Sequence, residues 1–168
     1  MELCKYPSNK KVRHFQIEAI QIPIVYNKYG DYDKNGLMYV LAQDADRIQR
    51  EAIRNFEKEI PQPYEGVKPL VIRVNLGDEV HICFRHHLHR RLSIHVQGIG
   101  YDVASSDGAS VGFNPDSTTD REINYIWYAQ TEGVFLFHDM ADAPSSEDAT
   151  NIHGLFGAII VEPPGAAG

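Results

Sequence analysis

The sequence predicts an all-β protein, built as a Greek-key β-sandwich with one peripheral helix. From Pro69 onward, short runs rich in aromatic and β-branched residues recur between turn signals such as Gly77-Asp78. The nine Tyr and seven Phe among 168 residues favour strands as well. Two sheets packed face to face bury the alternate residues of such strands, so their regular spacing indicates a sandwich. The six candidate strands are LVIRV, EVHICFR, LSIHVQ, INYIWYA, VFLFHDM and LFGAIIVE.

The segment before these strands contains one further strand and one helix. FQIEAIQIPIVY, residues 15–26, has the composition of a long strand, and the turn-rich NKYGDYDKNG follows it. Asp44 can then cap a helical pattern in which Ile48, Ala52 and Phe56 recur on one face. We therefore expect a helical insertion at 44–60, packed outside the sandwich, within a single domain over 1–168.

The acidic balance of the chain argues against nucleic acid as a partner. Lys and Arg number 16 against 23 Asp and Glu, for a formal net charge of -7 at pH 7, whereas nucleic acids and anionic lipids select clustered basic residues. No apolar run reaches membrane-spanning length, so no membrane insertion is expected. The basic run RHHLHRR, residues 85–91, is the local exception. It fits either a polar turn between strands or a surface patch for a metal or an anion.

Two of the predicted strands present a histidine followed two residues later by a weaker donor. The period of two places His95 and Gln97 on one face of LSIHVQ, and His138 and Met140 on one face of VFLFHDM. Imidazole suits copper, zinc and iron, a thioether suits Cu(I), and an amide is a poor ligand for all of these. His153, in TNIHGLFG, is a further candidate ligand. The alternative for each histidine is a hydrogen-bonded group in the core.

The surroundings of both strand histidines resemble the copper motifs of the multicopper oxidases. GDEVHICFRHHLHRRLSIHVQGIGYDVASSDGA, residues 77–109, is similar to the first motif, in which His-x-His-Gly is followed by Tyr-Asp and a Ser-Asp-Gly-Ala turn. INYIWYAQTEGVFLFHDMAD and the later GLFGAIIVEP are similar to the second motif. The N-terminal strand and loop are similar to the opening domain of the large bacterial manganese-oxidase-like, or ceruloplasmin-like, members. The resemblance implies a cupredoxin domain.

The resemblance also implies a copper site that lacks two of its usual ligands. Carried over from the family, His95 corresponds to a type 2 copper ligand and His138 to a type 3 copper ligand. Gln97 and Met140 stand where the family has its other two histidines. The remaining ligands of the trinuclear centre belong to a second domain, and the Cys-His motif of a type 1 copper is absent from the sequence. This chain alone is therefore not expected to be an active oxidase.

The resemblance leaves three functions open. In the first, His95 and His138, with Met140 or His153, bind copper weakly or share it between chains, and metal-ion oxidation requires assembly with other cupredoxin domains or identical subunits. The second is a metal-free structural or interaction domain, and the third is a metal carrier. Family members imply a location outside the cytoplasm or on a spore or cell surface, although MELCKYPSNKK lacks the apolar segment of a secretory signal.

Overall fold

The computed structural model describes residues 11–109, 112–113, 116–141 and 149–166. Strands dominate these residues, as the period-two patterns predict. In chain order the strands are β1 (Val12–Gln21), β2 (Ile24–Val25), β3 (Tyr32–Asp33), β4 (Leu37–Leu41), β5 (Leu70–Asn75), β6 (Glu79–His86), β7 (His95–Val96), β8 (Gly100–Tyr101), β9 (Ile123–Tyr128), β10 (Gly133–His138) and β11 (Phe156–Glu162). A 3-10 turn (Ala42–Asp44) leads into the helix α1 (Ala45–Phe56), and α2 (Val103–Ser106) is a single short turn.

Two sheets carry the fold. The five-stranded sheet has the order β4-β1-β6-β9-β8, and the four-stranded sheet has the order β5-β11-β10-β7. Most neighbours are antiparallel, whereas β1 with β6 and β5 with β11 run parallel. The small hairpin of β2 and β3 stands apart. The predicted all-β sandwich with a peripheral helix is thereby confirmed.

Alternate residues of both sheets meet in one apolar core. Trp127 of β9, Phe84 of β6 and Phe137 of β10 are fully buried there, and the rings of Trp127 and Phe137 lie 5.9 Å apart. Burial of each such side chain contributes about 2 to 3 kcal/mol relative to exposure. Tyr39 of β4 is also buried, and its hydroxyl donates a 2.6 Å hydrogen bond to the carbonyl of Ser93.

Helix α1 covers the outer side of β1 and β4 with a second, smaller core. Ile48 and Ala52 of the helix pack with Ile20 of β1 and with Met38 of β4. Phe56, the third predicted contact, meets the ring of Tyr32 edge to face, 4.8 Å between centroids. Within the part of the chain that the structure describes, no helix is long and apolar enough to cross a membrane.

Two details of the helical segment differ from the prediction. The helix ends at Phe56, so residues 57–60 of the predicted 44–60 insertion are turn and bend. Asp44 precedes the helix but makes no side-chain cap, because it has αR dihedrals rather than the extended dihedrals that aim an N-cap side chain at the helix amides. Its carboxylate pairs instead with Arg47 at 2.7 Å.

The strand limits also need correction at three places. β4 follows the predicted NKYGDYDKNG loop and was not among the predicted strands. Its residues Leu37 to Val40 are all buried, because one side faces the main core and the other faces α1. Only His95 and Val96 of LSIHVQ pair as a strand. β10 ends at His138, so Met140 lies beyond the strand on which it was predicted.

Candidate metal centre

His95 and His138 lie side by side on the outer face of the four-stranded sheet. β7 and β10 are antiparallel neighbours, and their register places His95 directly opposite His138. The centroids of the two imidazole rings are 5.9 Å apart, and the ring planes cross at 70°. The adjacent pair, Val96 and Phe137, is buried on the core side. Strand alternation thus brings both imidazoles to the surface that faces away from the core.

The Ser-Asp-Gly-Ala turn orients His95. The ring nitrogen Nδ1 of His95 lies 2.7 Å from the backbone carbonyl oxygen of Asp107. The carboxylate of Asp107 accepts hydrogen bonds from the Tyr101 hydroxyl at 2.8 Å and from the Ala109 N–H at 3.0 Å. Burial, and then the hydrogen bond to Asp107, raises the pKa of Tyr101, so this hydroxyl keeps its proton and remains a donor. The hydrogen bonds from Tyr101 and Ala109 to the Asp107 carboxylate therefore hold the turn in place.

The turn itself depends on a glycine and on a short cap. Gly108 has a φ of +67°, and a Cβ atom built there would lie 2.4 Å from the carbonyl oxygen of Ile94. Only glycine combines this dihedral with so close an approach. Asp102, at the start of α2, accepts a 2.9 Å hydrogen bond from the Ser105 N–H, a contact typical of an aspartate that begins a turn.

His138 is held at both ring nitrogens. Its Nδ1 lies 3.0 Å from the backbone carbonyl oxygen of Asp139. Its Nε2 lies 2.9 Å from the side-chain amide nitrogen Nε2 of Gln97. The residue that stands in place of a second histidine in the first motif is therefore in direct contact with the histidine of the second motif.

These contacts assign the same tautomer to both histidines. A carbonyl oxygen only accepts hydrogen bonds, so Nδ1 of His95 and of His138 carries the hydrogen, and the lone pair of each neutral ring is on Nε2. Metal-ligating histidines are commonly oriented in this way, with one nitrogen bonded to a carbonyl and the other left as the ligand. In His138 that lone pair accepts the amide hydrogen of Gln97. Nε2 is therefore the nitrogen through which either ring could bind a metal ion.

Asp139 follows His138 on the opposite face, where the sequence allows either a surface position or a supporting role, and the structure shows the supporting role. Asp139 is 6% exposed. Its carboxylate accepts hydrogen bonds from the N–H and hydroxyl of Ser93, from the N–H of Ala141 and from the hydroxyl of Thr150, at 2.6 to 3.1 Å. The available signal was strand alternation, which turns Asp139 inward if His138 faces outward.

The two other predicted ligands take different positions. Nδ1 of His153 lies 2.6 Å from the carboxylate of Asp33, on the β2 and β3 hairpin. The Met140 N–H donates to the hydroxyl of Ser93 at 2.9 Å. Among the described residues, no group of three or more His, Cys, Asp or Glu side chains is placed to hold one metal ion. His153 therefore does not complete a three-ligand group with His95 and His138.

The basic run at residues 85–91 is largely neutralised by carboxylates. His86 is buried, with its Nε2 2.9 Å from the Ser117 carbonyl oxygen. Carboxylates contact side chains of the run, for example Glu18 contacts Arg85, Asp120 contacts His87 and Asp116 contacts Arg91. These contacts favour the polar turn over an anion-binding patch, because Arg85 and Arg91 already pair with carboxylates of the chain.

The family model described as multicopper oxidase matches residues 57–166, which is more than half of the 168 residues. This chain belongs to the multicopper oxidase family. The match includes the turn and both strand histidines of the multicopper oxidase domain, whereas β1, β4 and α1 precede it.

The relatives of this multicopper oxidase domain are much longer proteins. It is 36% identical over 98 residues to a probable nitrite reductase-hydroxylamine oxidoreductase fusion protein of Kuenenia stuttgartiensis, a match that spans 56% of this chain and 11% of that protein.

Three solved structures share its fold. A multi-copper oxidase from Pseudomonas thermotolerans has 16% identity, coverage of 92% of this chain and 30% of its own, and a TM-score of 0.60. A copper nitrite reductase from Nitrosomonas europaea has 18% identity, coverage of 93% and 43%, and a TM-score of 0.60. A further multicopper oxidase has 22% identity, coverage of 94% and 45%, and a TM-score of 0.61. The chain spans less than half the length of each.

Proposed function

We propose that this chain is a copper-binding cupredoxin domain in which His95 and His138 hold one copper ion together with ligands from a second subunit. The observation that carries the proposal is the pairing of two imidazoles in register on neighbouring strands, with Nδ1 of each bonded to a backbone carbonyl. Copper would supply redox chemistry at this site when bound. Imidazole nitrogen is a favourable donor for copper.

Gln97 sets how strongly such a pair would bind. The amide hydrogen that Gln97 donates to Nε2 of His138 has to be released before that nitrogen can bind a metal ion. A hydrogen bond at an exposed site contributes about 0.5 to 1.5 kcal/mol, so the competition is modest. Weak copper binding by two imidazoles is the expected result.

The surroundings of the pair support assembly with a second copy of the chain. Four apolar side chains on the outer side of the four-stranded sheet are 41 to 65% exposed, and we call them the apolar outer face: Val71, Val134, Leu136 and Phe156. The register places Phe156 beside His138, and the carbonyl of Leu136 accepts a hydrogen bond from the Gln97 N–H at 2.9 Å. The face is thus continuous with the histidine pair. A large exposed apolar patch is typical of an interaction surface.

An identical subunit bound to the apolar outer face would supply the missing copper ligands. It would also cover the exposed apolar side chains of that face. Two imidazoles leave at least one or two coordination positions of a copper ion open. Metal-ion oxidation is part of this proposal only for an assembly with further domains, because the sequence has no Cys-His motif for a type 1 copper.

A metal-free interaction domain is the second candidate. The hydrogen bond from Gln97 satisfies the lone pair of His138 without a metal ion. In this alternative the two histidines only link β7 to β10 and to the turn that contains Asp107.

Copper titration of the chain separates these two functions. The protein would be stripped with a chelator and titrated with Cu(II), followed by EPR and by sedimentation velocity. The double variant His95→Ala/His138→Ala should lose one copper equivalent and any copper-dependent dimer. His87→Ala is the matched control, because its exposed imidazole contacts Glu18 and Asp120 and not the pair. Equal copper stoichiometry in wild type and the double variant would favour the metal-free domain.

A further inference from the structure

A second pair of histidines lies on the outer face of the five-stranded sheet. β1 and β6 are parallel neighbours, and their register aligns His14 with His81. Val80 and Ile82, on either side of His81, are buried in the core, so His81 faces outward. His14 is exposed, and His81 retains 33% of its side-chain exposure. Both imidazoles are therefore accessible from solvent.

The spacing of these rings suits a shared metal ion. The ring centroids of His14 and His81 are 5.1 Å apart. With bonds of about 2.0 to 2.1 Å from metal to nitrogen, two imidazoles on one tetrahedral ion have centroids roughly 5 Å apart. The ring planes now cross at 77°, and small rotations about the side-chain bonds would bring an in-plane lone pair of each ring to a common point.

A carboxylate already orients one of the two imidazoles. Nε2 of His81 lies 2.7 Å from Oε1 of Glu79, which is two residues earlier on the same face of β6. When Nε2–H donates to this carboxylate, Nδ1 of His81 keeps the lone pair. A carboxylate bonded to the second nitrogen of a histidine is a common arrangement around metal ligands, and it raises the basicity of the ligating nitrogen.

This pair is separate from His95 and His138. The two sheets pack through their inner faces, so their outer faces lie on opposite sides of the sandwich. His14 also lies outside residues 57–166, the part that matches the multicopper oxidase model. The arrangement is therefore built in part from a strand that the family match does not include.

We propose that His14 and His81 form a surface site for a divalent transition-metal ion, Zn²⁺ or Cu²⁺, with Glu79 as the orienting carboxylate. The protein supplies two imidazole nitrogens, and water completes the coordination. The site does not depend on copper binding by His95 and His138.

Zinc titration of the full chain tests the site without redox chemistry. In ¹H–¹⁵N spectra of the histidine rings, Zn²⁺ should shift the signals of His14 and His81, and calorimetry should give the affinity. His14→Ala and His81→Ala should each weaken this binding by more than about tenfold, and Glu79→Gln by roughly tenfold, the usual effect of losing an orienting partner. The exposed His87→Ala is the control and should leave the affinity unchanged.

The outcomes distinguish this site from the proposed copper pair. Loss of zinc binding in His14→Ala but not in His95→Ala/His138→Ala supports the second site, whatever the copper pair does. Ring signals of His14 and His81 that do not move in the wild type up to millimolar zinc would overturn it. That measurement requires no variant, so it stands even if a substitution impairs folding. Shifts of His95 and His138 alone would also overturn it.

Discussion

The carboxylate of Asp139 accepts hydrogen bonds from both the backbone N–H and the hydroxyl of Ser93, at 2.8 and 3.1 Å. Ser93 precedes His95 by two residues, and Asp139 follows His138 directly. The bonds between Asp139 and Ser93 therefore fix the two strand ends that present the imidazoles. A buried carboxylate in this position is stabilised only because its oxygens are saturated with donors.

Asp139→Asn should destabilise the fold and loosen the histidine pair. In asparagine, an amide nitrogen replaces one carboxylate oxygen, and it cannot accept the hydrogen bonds that this oxygen accepts in the wild type. Each buried donor left without an acceptor costs about 1 to 3 kcal/mol. We expect the free energy of unfolding to fall by about 2 to 4 kcal/mol, measured by urea denaturation. The control is Asp46→Asn, in the exposed first turn of α1, where the change should stay within about 0.5 kcal/mol. Equal effects in both variants would show that the charge of Asp139 is not needed.

The turn that orients His95 should not tolerate a side chain at Gly108. Gly108→Ala combines a positive φ with a Cβ contact of 2.4 Å to the Ile94 carbonyl oxygen. Gly77→Ala is a matched control, because Gly77 has a φ of +90° and nothing within 4 Å of its Cβ position. The left-handed dihedral alone costs roughly 1 to 2 kcal/mol. Gly108→Ala should therefore lose clearly more stability than Gly77→Ala in urea denaturation, and it should shift the ring signals of His95. Equal losses would mean that the turn relaxes freely.

Strand periodicity was sufficient to predict the sandwich, but it did not decide whether the histidines lie in the core or face outward. His95 and His138 stand at alternate positions to buried residues in both β7 and β10, and this pattern is local. The strand β4 was not predicted. It is buried on both sides, so its apolar and polar residues do not alternate, and it directly follows a turn-rich segment. A continuous apolar run of five residues is ambiguous by periodicity alone.

The contacts that define the site depend on register, which the sequence does not specify locally. Gln97 reaches His138 over 41 positions, and His153 reaches Asp33 over 120. A shift of one residue in the pairing of β7 with β10 would send Gln97 to the opposite face. For this reason, spacing alone could not show whether Gln97 binds a metal ion itself or forms a hydrogen bond to the histidine that could bind one.

Buried tyrosines should make the fold sensitive to alkaline pH. Burial, and then the negative charge of Asp139, raises the pKa of Tyr39 well above its ordinary value of 10.0, and burial also raises the pKa of Tyr125. Above pH 10 the unfolded chain releases these protons while the folded chain retains them. Stability is therefore complete below about pH 10 and falls as the pH rises, by about 1.4 kcal/mol per pH unit for each tyrosine.

Tyr39→Phe tests this dependence. It should lower the free energy of unfolding at pH 8 by about 1 kcal/mol, because the hydrogen bond to the Ser93 carbonyl is lost. It should also flatten the decline between pH 10 and 11, measured by denaturation at each pH. The control is Tyr29→Phe, at a 77% exposed side chain, where the decline should match that of the wild type. A decline that is unchanged by Tyr39→Phe would assign the effect to other groups.

Restoring histidines at the two altered positions should strengthen copper binding. Gln97 already contacts Nε2 of His138, so Gln97→His places an imidazole beside the pair and also removes the competing amide. Met140→His adds a fourth candidate just beyond β10. Imidazole is a much better Cu(II) donor than amide or thioether, so the double variant should bind copper more than about tenfold more tightly, measured by titration against a competing chelator.

The single variants and a remote control show what each position adds. Gln97→His should account for most of the gain, because its side chain already lies against His138, whereas residue 140 is outside the strand. Gln43→His, an exposed glutamine in the 3-10 turn before α1, should change nothing. Oxidase activity should remain absent in every variant, because the sequence has no Cys-His motif to hold a type 1 copper. An affinity that does not change in the double variant would mean that these positions do not converge on one ion, and the metal-free interaction domain would then be the better account of His95 and His138.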